Sequence, residues 1–589
     1  MEEKNMKKTI IHIAIAISAA LSFVSCDAFL NRPAEDTYNR DNFYQTPEQC
    51  IQGVNYLYNS PWYDVIRGFY RVGECFSGNY YMGDSPYLQF SVNGSDKELR
   101  DMSSSLWAVN AQAGTVYNRI KEADVDESVK NMCMGEALVW KAFANFFLVR
   151  SFGEVPIIHN ISETIAEGGY NEIYKATKED VYQYTIMLLD KAMELLPKKV
   201  ANKDGRIDFY SAEALLAKVY LQKAGVSGSL NQADLDKAAE YAKDVIQNSG
   251  RQLLENYSDV FRMQNNKNLE ALISWHWDAS AQPWTAQNSF QSDLAPKGFD
   301  EFGDCWGGWT GPSVALQDQF GVNVLQDPAL RSDIDTRRKA TMMLPGDKYE
   351  YFYTSQGGFD YLRFFYDENY GPSGTANASD KSLNSGTGAC CVKFLYGDGQ
   401  DHMAALGVSA SRMAYGLSTH ILRLSDIYLV YAEAKLHGPG SVTNDPLACE
   451  CYFKVRNRAI PTYYPAPASI SFEDVWKERN LELALEGDRW YDYVRVGYYN
   501  PDFAVNDIQS QRRNNMNKGT GLDSICKTYY ETGVWNASGT EYNTDENPIP
   551  TRDAILAKIK ALPFPSEDVV FNPHLEEPAQ SFDFSTITF

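Results

Sequence analysis

The sequence predicts a mostly α-helical protein in which paired helices are interrupted by one large irregular insertion, all within a single domain. Three observations predict it. From about residue 130 to 250, apolar residues recur three and four apart, with turn residues between the runs. The same pattern returns from about 420 to 497. Between them, from about 265 to 419, the chain is rich in Gly, Ser, Asn and aromatic residues and has no long periodic stretch, so loops and short strands are expected there. Helix pairs so far apart in sequence can share one stack only if the insertion leaves the stack and returns to it.

In chain order, the first helix runs through Gly135, Glu136 and Ala137 to Arg150 and is stopped by Gly153 and Pro156. The second opens at Thr177-x-x-Asp180, a capping-box spacing, and presents Val181, Tyr184, Leu188, Ala192 and Leu195 on one stripe before Pro197. Ser211–Leu221 and Leu235–Ala242 then form a pair whose small Ala residues let two helices approach closely, which resembles a tetratricopeptide unit. A later pair spans Leu424 to Leu436 and Leu447 to Ala459, and Ser471-x-x-Asp474 caps a long helix expected from Phe472 to about Val496. In the C-terminal segment, 500–589, the part from 500 to 547 is expected to be irregular. Alternation from Phe582 to Phe589 reads as a short terminal strand.

Composition narrows the function. With 589 residues, 44% hydrophobic and 22% charged, the chain can bury a large core. Its net charge of -23 repels phosphate backbones, so nucleic acid is not an expected partner. The N-terminus has the layout of a secretory signal: Lys7-Lys8, an apolar run from Ile10 to Val24, then Ser25-Cys26. Acidic Glu2 and Glu3 lie ahead of Met6-Lys7-Lys8, which places the expected translation start at Met6. Val24-Ser25-Cys26 resembles a bacterial lipobox, with Phe23 where Leu is usual. Residues 1–25 are thus expected to be a lipoprotein signal peptide. Cys26 is the expected acylated first residue, anchoring the chain to a membrane without spanning it.

Chemistry has no visible seat. Nine Cys follow Cys26, an odd number, and neither Cys390-Cys391 nor Cys449-x-Cys451 has zinc-ligand spacing, so neither a disulfide framework nor a metal or cofactor is expected. The phosphate-loop, dinucleotide-fingerprint, nucleophile-elbow and metalloprotease motifs are absent from the sequence. Glu478, Glu482, Glu486 and Asp492 fall three and four apart and could suggest a glycosidase pair, but Arg479, Arg489 and Arg495 are interleaved. Opposite charges keep carboxylates ionised, so a structural ion-pair network is expected.

Aromatic residues make up 13% of the chain, led by 38 Tyr, and they carry the binding hypothesis. A flat ring next to glycines can face solvent and stack on the C–H face of a sugar. Candidate ligand-binding residues are Trp284, Trp306 and Trp309 in the insertion, and Tyr80, Tyr81 and Tyr87 in an earlier Gly- and Ser-containing run. Trp275 and Trp277 alternate with His276 as in a strand and are assigned to the interior.

Several stretches, in order along nearly the whole mature chain, resemble the SusD/RagB family of outer-membrane nutrient-binding lipoproteins. They are Phe29-Leu30-Asn31-Arg32-Pro33; Phe43-Tyr44-Gln45-Thr46-Pro47-Glu48; the Gly135 helix with Phe152-Gly153-Glu154-Val155-Pro156; Arg423 to Ala434; Val455-Arg456-Asn457-Arg458-Ala459; Glu478-Arg479 through Arg495; and Leu562-Pro563-Phe564-Pro565 with Phe571-Asn572-Pro573. Glu577 departs from the family's usual Gln. The resemblance implies tetratricopeptide-like units cradling a variable region, residence on the outer membrane, and a role as lid on a SusC-like TonB-dependent transporter that imports oligosaccharides. It implies binding without catalysis and carries no ligand contact over. Capture of peptides, as in RagB-like relatives, and glycoside hydrolysis are the alternatives.

Overall fold

The computed structural model describes residues 43–83, 85–169, 171–279, 288–372, 381, 383, 385–513, 521–540 and 548–589. The chain is mostly helical, as expected. Five helices form the first half of the scaffold: α1 (Lys97–Glu122), α2 (Glu127–Phe152), α3 (Lys178–Leu195), α4 (Phe209–Lys223) and α5 (Gln232–Asn248). Each packs on the next. Helix α2 is long and apolar enough to cross a membrane, but its side chains from Cys133 to Phe152 are buried within the protein, so it is the central helix of the core. Thr177 Oγ1 accepts from Asp180 N at 3.2 Å as the capping spacing predicts, while the Asp180 carboxylate is taken by Phe582 N at 3.0 Å from the far end of the chain.

The scaffold resumes with α6 (Leu424–Ala434), α7 (Pro446–Ala459), α8 (Phe472–Glu482) and α9 (Arg489–Tyr499). Helix α6 packs directly on α5, so the insertion does return to the stack. The two ends of the insertion are stitched by strands β2 (Ala271–Trp275) and β6 (Thr419–Arg423), which run antiparallel. Trp275 and Trp277 are 0% and 6% exposed, in the core as expected. Short pairs organise the rest of the insertion: β1 (Tyr80–Tyr81) with β3 (Gly311–Pro312), and β4 (Met342–Met343) with β5 (Cys390–Cys391). All nine cysteines among the described residues are free and buried.

Three expectations are corrected. The single long helix from Phe472 is two helices, because Leu485 and Gly487 adopt positive φ of 65° and 75° and turn the chain. The turn lets Gly487 N donate to buried Glu74 Oε1 at 2.7 Å and seats Gly487 against Phe69 and Gly73. The region from 500 contains the helices Pro501–Ser510 and Leu522–Thr532, the first opened by Asn500 Oδ1 capping Phe503 N with Pro501 at its first position. The terminal segment is a 3₁₀ turn, Phe584–Thr586, in which Asp583 Oδ1 accepts from Ser585 N and Oγ and so competes with strand pairing.

The expected ion-pair network is present, buried, and wider than expected. Glu478 pairs with Arg337 at 2.6 Å and Arg456 at 2.7 Å; Glu482 pairs with Arg337, Arg423 and Arg458; Glu486 pairs with Lys393 and Arg423, both at 2.8 Å. Arg337 and Lys393 come from the insertion, so the network fixes the insertion to the scaffold. Asp492 accepts from Arg479, Arg489 and Arg495.

Candidate functional site

The pairing of β1 with β3 brings together two aromatic regions that are some 230 residues apart in sequence. Tyr80 lies opposite Pro312 and Tyr81 opposite Gly311. Immediately before β3, Gly307–Trp309 forms a 3₁₀ turn seated on the short helix Phe290–Leu294. Trp306 N donates to Ser292 O at 2.9 Å and Gly307 N to Ala295 O at 3.0 Å. A side chain at position 307 would collide with the backbone of Asp293 and Leu294, so glycine there is what allows the turn to sit so close.

This turn projects two indoles outward. Trp306 is 40% and Trp309 47% exposed, whereas the other Trp among the described residues are buried or, at Trp107 and Trp535, partly buried. Trp306 is oriented by its own Nε1, which donates to Asp293 Oδ1 at 2.9 Å, and Asp293 is held in turn by Ser289 Oγ at 3.0 Å and Arg67 at 3.3 Å. Arg67 reaches on to Glu98, which also faces Arg71 at 3.7 Å. Burial works against the Arg67 charge, but Asp293 and Glu98 outweigh it and hold the guanidinium charged. The Trp309 ring lies against Gly83, next to β1. The result is a platform that consists of a pair of exposed indoles on one turn, with a row of mostly buried polar groups, Arg67, Arg71, Glu98 and Asp293, behind Trp306. Ring faces suit sugar C–H faces, and the polar row suits hydroxyls.

The candidate tyrosines do not belong to that surface. Tyr80, Tyr81 and Tyr87 are 1%, 3% and 1% exposed. The Tyr80 hydroxyl shares a 2.6 Å hydrogen bond with Thr310, the Tyr81 ring packs against Gly386, and Tyr87 OH donates to Asp96 Oδ1 at 2.6 Å. Tyr80 and Tyr81 are fixed in β1 against β3, Tyr80 touching the turn through Thr310, whereas Tyr87 is held apart from that pairing by Asp96 and the Phe76 ring. Trp284 and Cys26 lie outside the described residues. Sequence reasoning missed Asp293 and Arg67, whose places follow from long-range packing.

Behind β1 and β3 lies a cleft of about 420 Å³ lined by Asn79, Trp476, Arg489, Tyr493 and Arg512 among others. Several of its polar groups pair with one another: Arg489 stacks on the Trp476 ring at 3.8 Å, Trp476 Nε1 reaches Asp507 at 3.4 Å, and Arg512 pairs with Asp318. Glu482 and Asp492 of the Glu478–Arg495 motif offer no acid catalyst either. Burial would raise Glu482, but Arg458, Arg423 and Arg337 hold it far below the usual carboxylate range, and Arg479, Arg495 and Arg489 do the same to Asp492.

Comparison with known proteins identifies the fold and the family. The SusD family model matches residues 213–578, and a second, described as starch-binding associating with outer membrane, matches residues 95–221. A SusD-like protein of Bacteroides ovatus is 30% identical, over 98% of this chain and 99% of its own length. A solved structure with xylogluco-oligosaccharide is 27% identical, covering 91% of this chain and 99% of that one, with a TM-score of 0.73. A laminarin-binding SusD-like protein at 20% identity shares the fold over 85% of this chain and 99% of its own, with a TM-score of 0.57. The chain belongs to the SusD family, a family of binding proteins and not of enzymes.

Proposed function

We propose that this protein is a cell-surface glycan-binding lipoprotein. It is anchored in the outer membrane through Cys26, captures oligosaccharides on the Trp306–Trp309 platform, and passes them to a SusC-like TonB-dependent transporter. The observation that carries the reading is the pair of half-exposed indoles on one braced turn, with Trp306 locked by Asp293. A surface of rings and polar groups fits a hydroxylated ligand better than a peptide, which would need a long strand edge beside a deep cavity; β1 and β3 are only two residues long. The protein family's association with the outer membrane and the xylogluco-oligosaccharide seen with a relative support the same reading.

The test is calorimetric titration of the mature chain in mild detergent against a panel that includes xylogluco-oligosaccharide, laminarin and other host, plant and microbial glycans. Binding of at least one glycan without release of reducing ends is expected. Release of reducing ends, or binding of peptides with silence across the glycans, overturns it.

A further inference from the structure

Just before the Trp306 turn, three chemistry-bearing side chains converge inside the insertion. Asp300, Asp304 and Cys305 are 2%, 2% and 4% exposed, and one ligating atom from each lies within 4.8 Å of the other two. Asp300 Oδ1 accepts from Phe302 N at 3.1 Å, and its Oδ2 from Gln291 Nε2 at 3.0 Å and from Cys305 Sγ at 3.2 Å. Asp304 Oδ2 accepts from Ser292 Oγ and Met413 N, both at 3.0 Å. Asp304 Oδ1 is enclosed and has no hydrogen-bond partner among the described residues.

A buried carboxylate oxygen without a donor is expensive, and more so beside a second carboxylate. The groups that donate to the two carboxylates are neutral: Gln291, Ser292, Cys305 and the backbone N–H groups of Phe302 and Met413. The cluster therefore holds two acids, one open oxygen and a sulfur, and each of the hydrogen bonds just named comes from a neutral donor.

We propose that Asp300, Asp304 and Cys305 bind a divalent metal ion of the Zn²⁺ class, which closes the loop carrying Trp306. The donor set selects the class. Ca²⁺ takes about 6–8 oxygens, whereas sulfur beside two carboxylates suits a borderline ion in a small shell. Bonds of about 2.0–2.3 Å in a tetrahedron set ligand atoms roughly 3.3–3.8 Å apart, and the Cys305 Sγ to Asp300 Oδ2 separation is already 3.2 Å. A bare ion is smaller than water and can reach an oxygen that solvent cannot. On binding, the Cys305 thiol loses its proton to solvent and becomes the thiolate ligand, so the ion's two positive charges meet three negative ones. The ion would join the segments at Asp300–Cys305, Ser292 and Met413, beneath the turn that presents Trp306. The site does not depend on which ligand the platform takes.

The test uses the mature chain in mild detergent, stripped by chelator and titrated with Co²⁺ as a spectroscopic probe and with Zn²⁺. One Co²⁺ per chain is expected, with a thiolate-to-cobalt charge-transfer band that Zn²⁺ abolishes, and a thermal midpoint that rises with Zn²⁺. Cys305→Ser loses the band, and Asp304→Asn weakens Zn²⁺ binding at least tenfold with circular dichroism unchanged. Should Cys305→Ser fail to fold, Asp304→Asn and the cobalt band of the unaltered chain decide. No uptake, uptake of equal affinity in both variants, or uptake of Ca²⁺ alone that survives Cys305→Ser overturns the proposal.

Discussion

Replacing Trp309 or Trp306 by Ala tests the platform most directly, and the structure sets the size of the effect. A tryptophan side chain offers up to about 250 Å². At 47% exposure Trp309 keeps roughly 120 Å² of that free, and at 40% Trp306 keeps roughly 100 Å². A sugar stacked on one ring face covers about half, some 60 and 50 Å². At about 25 cal/mol per Å² that is ~1.5 and ~1.2 kcal/mol, or roughly a tenfold loss of affinity for each variant. The double variant should lose roughly a hundredfold if the two rings act independently. Neither ring is in the core, and surface changes within about 0.5 kcal/mol leave the thermal midpoint of so long a chain within ~1 °C. Titration calorimetry with the glycan that binds in the panel, paired with scanning calorimetry, reads both quantities. Unaltered affinity in both single variants would refute the platform, as would a loss of affinity that tracks a loss of stability.

Gly307→Ala should weaken glycan binding by a similar factor while both indoles remain, because the added carbon collides with the backbone of Asp293 and Leu294 and displaces the turn; titration of that variant checks it. Glu482→Gln breaks a buried cluster with three Arg, at a cost of about 3–5 kcal/mol, which over roughly 550 ordered residues at about 2.1 cal/mol/K each lowers the midpoint by ~3–4 °C. Because Arg458, Arg423 and Arg337 depress the Glu482 carboxyl, that stability is full above the unfolded carboxylate range near pH 4.3 and fades below it, so calorimetry at pH 7 and pH 4 should show the gap narrowing in acid. Glu213 has the opposite sign: burial, then its hydrogen bond with and the charge of Asp244, push it up to about 8, so the folded chain holds an extra proton between about pH 4.3 and 8 and loses stability as pH rises through that window. Glu213→Gln should therefore gain midpoint relative to the unaltered chain between pH 5 and pH 8, and equal midpoint differences at both pH values would contradict this.

The helices legible in the sequence are those with an unbroken apolar stripe and a capping signal, such as α3 with Thr177 and α8 with Ser471, whose reciprocal box with Asp474 forms as expected. Helix α1 escaped notice although it is 26 residues long, because Ser103, Ser105, Asn110 and Gly114 occupy its buried face and dilute the stripe. Asp96, whose carboxylate caps Leu99 N at 2.9 Å, was the signal available. At the site, glycine beside an aromatic ring has two meanings that sequence does not separate. Gly307 sets the Trp306–Trp309 turn down on its supporting helix and so exposes the indoles, whereas Gly386 makes room for the Tyr81 ring to bury itself. Which meaning applies is decided by β1 pairing with β3, a contact between distant segments that no local pattern encodes.

The α8 motif shows why a recognisable scaffold can carry an unrecognisable binding face. Its three glutamates reach Arg423, Arg456 and Arg458 of the scaffold and Arg337 and Lys393 of the insertion, the glutamates themselves buried. Removing any one partner strands a buried charge, so the motif tolerates little change. The platform lies outside this network: Trp306 and Trp309 are fixed by Asp293, Gly307 and Gly83, which the network does not touch. The same charges that clamp the insertion keep every carboxylate of the motif paired with arginine or lysine, the reverse of the raised acid a glycosidase needs. The motif that identifies the fold is thereby unfit for hydrolysis, and the residues suited to a sugar lie on a turn that can change without unsettling the clamp.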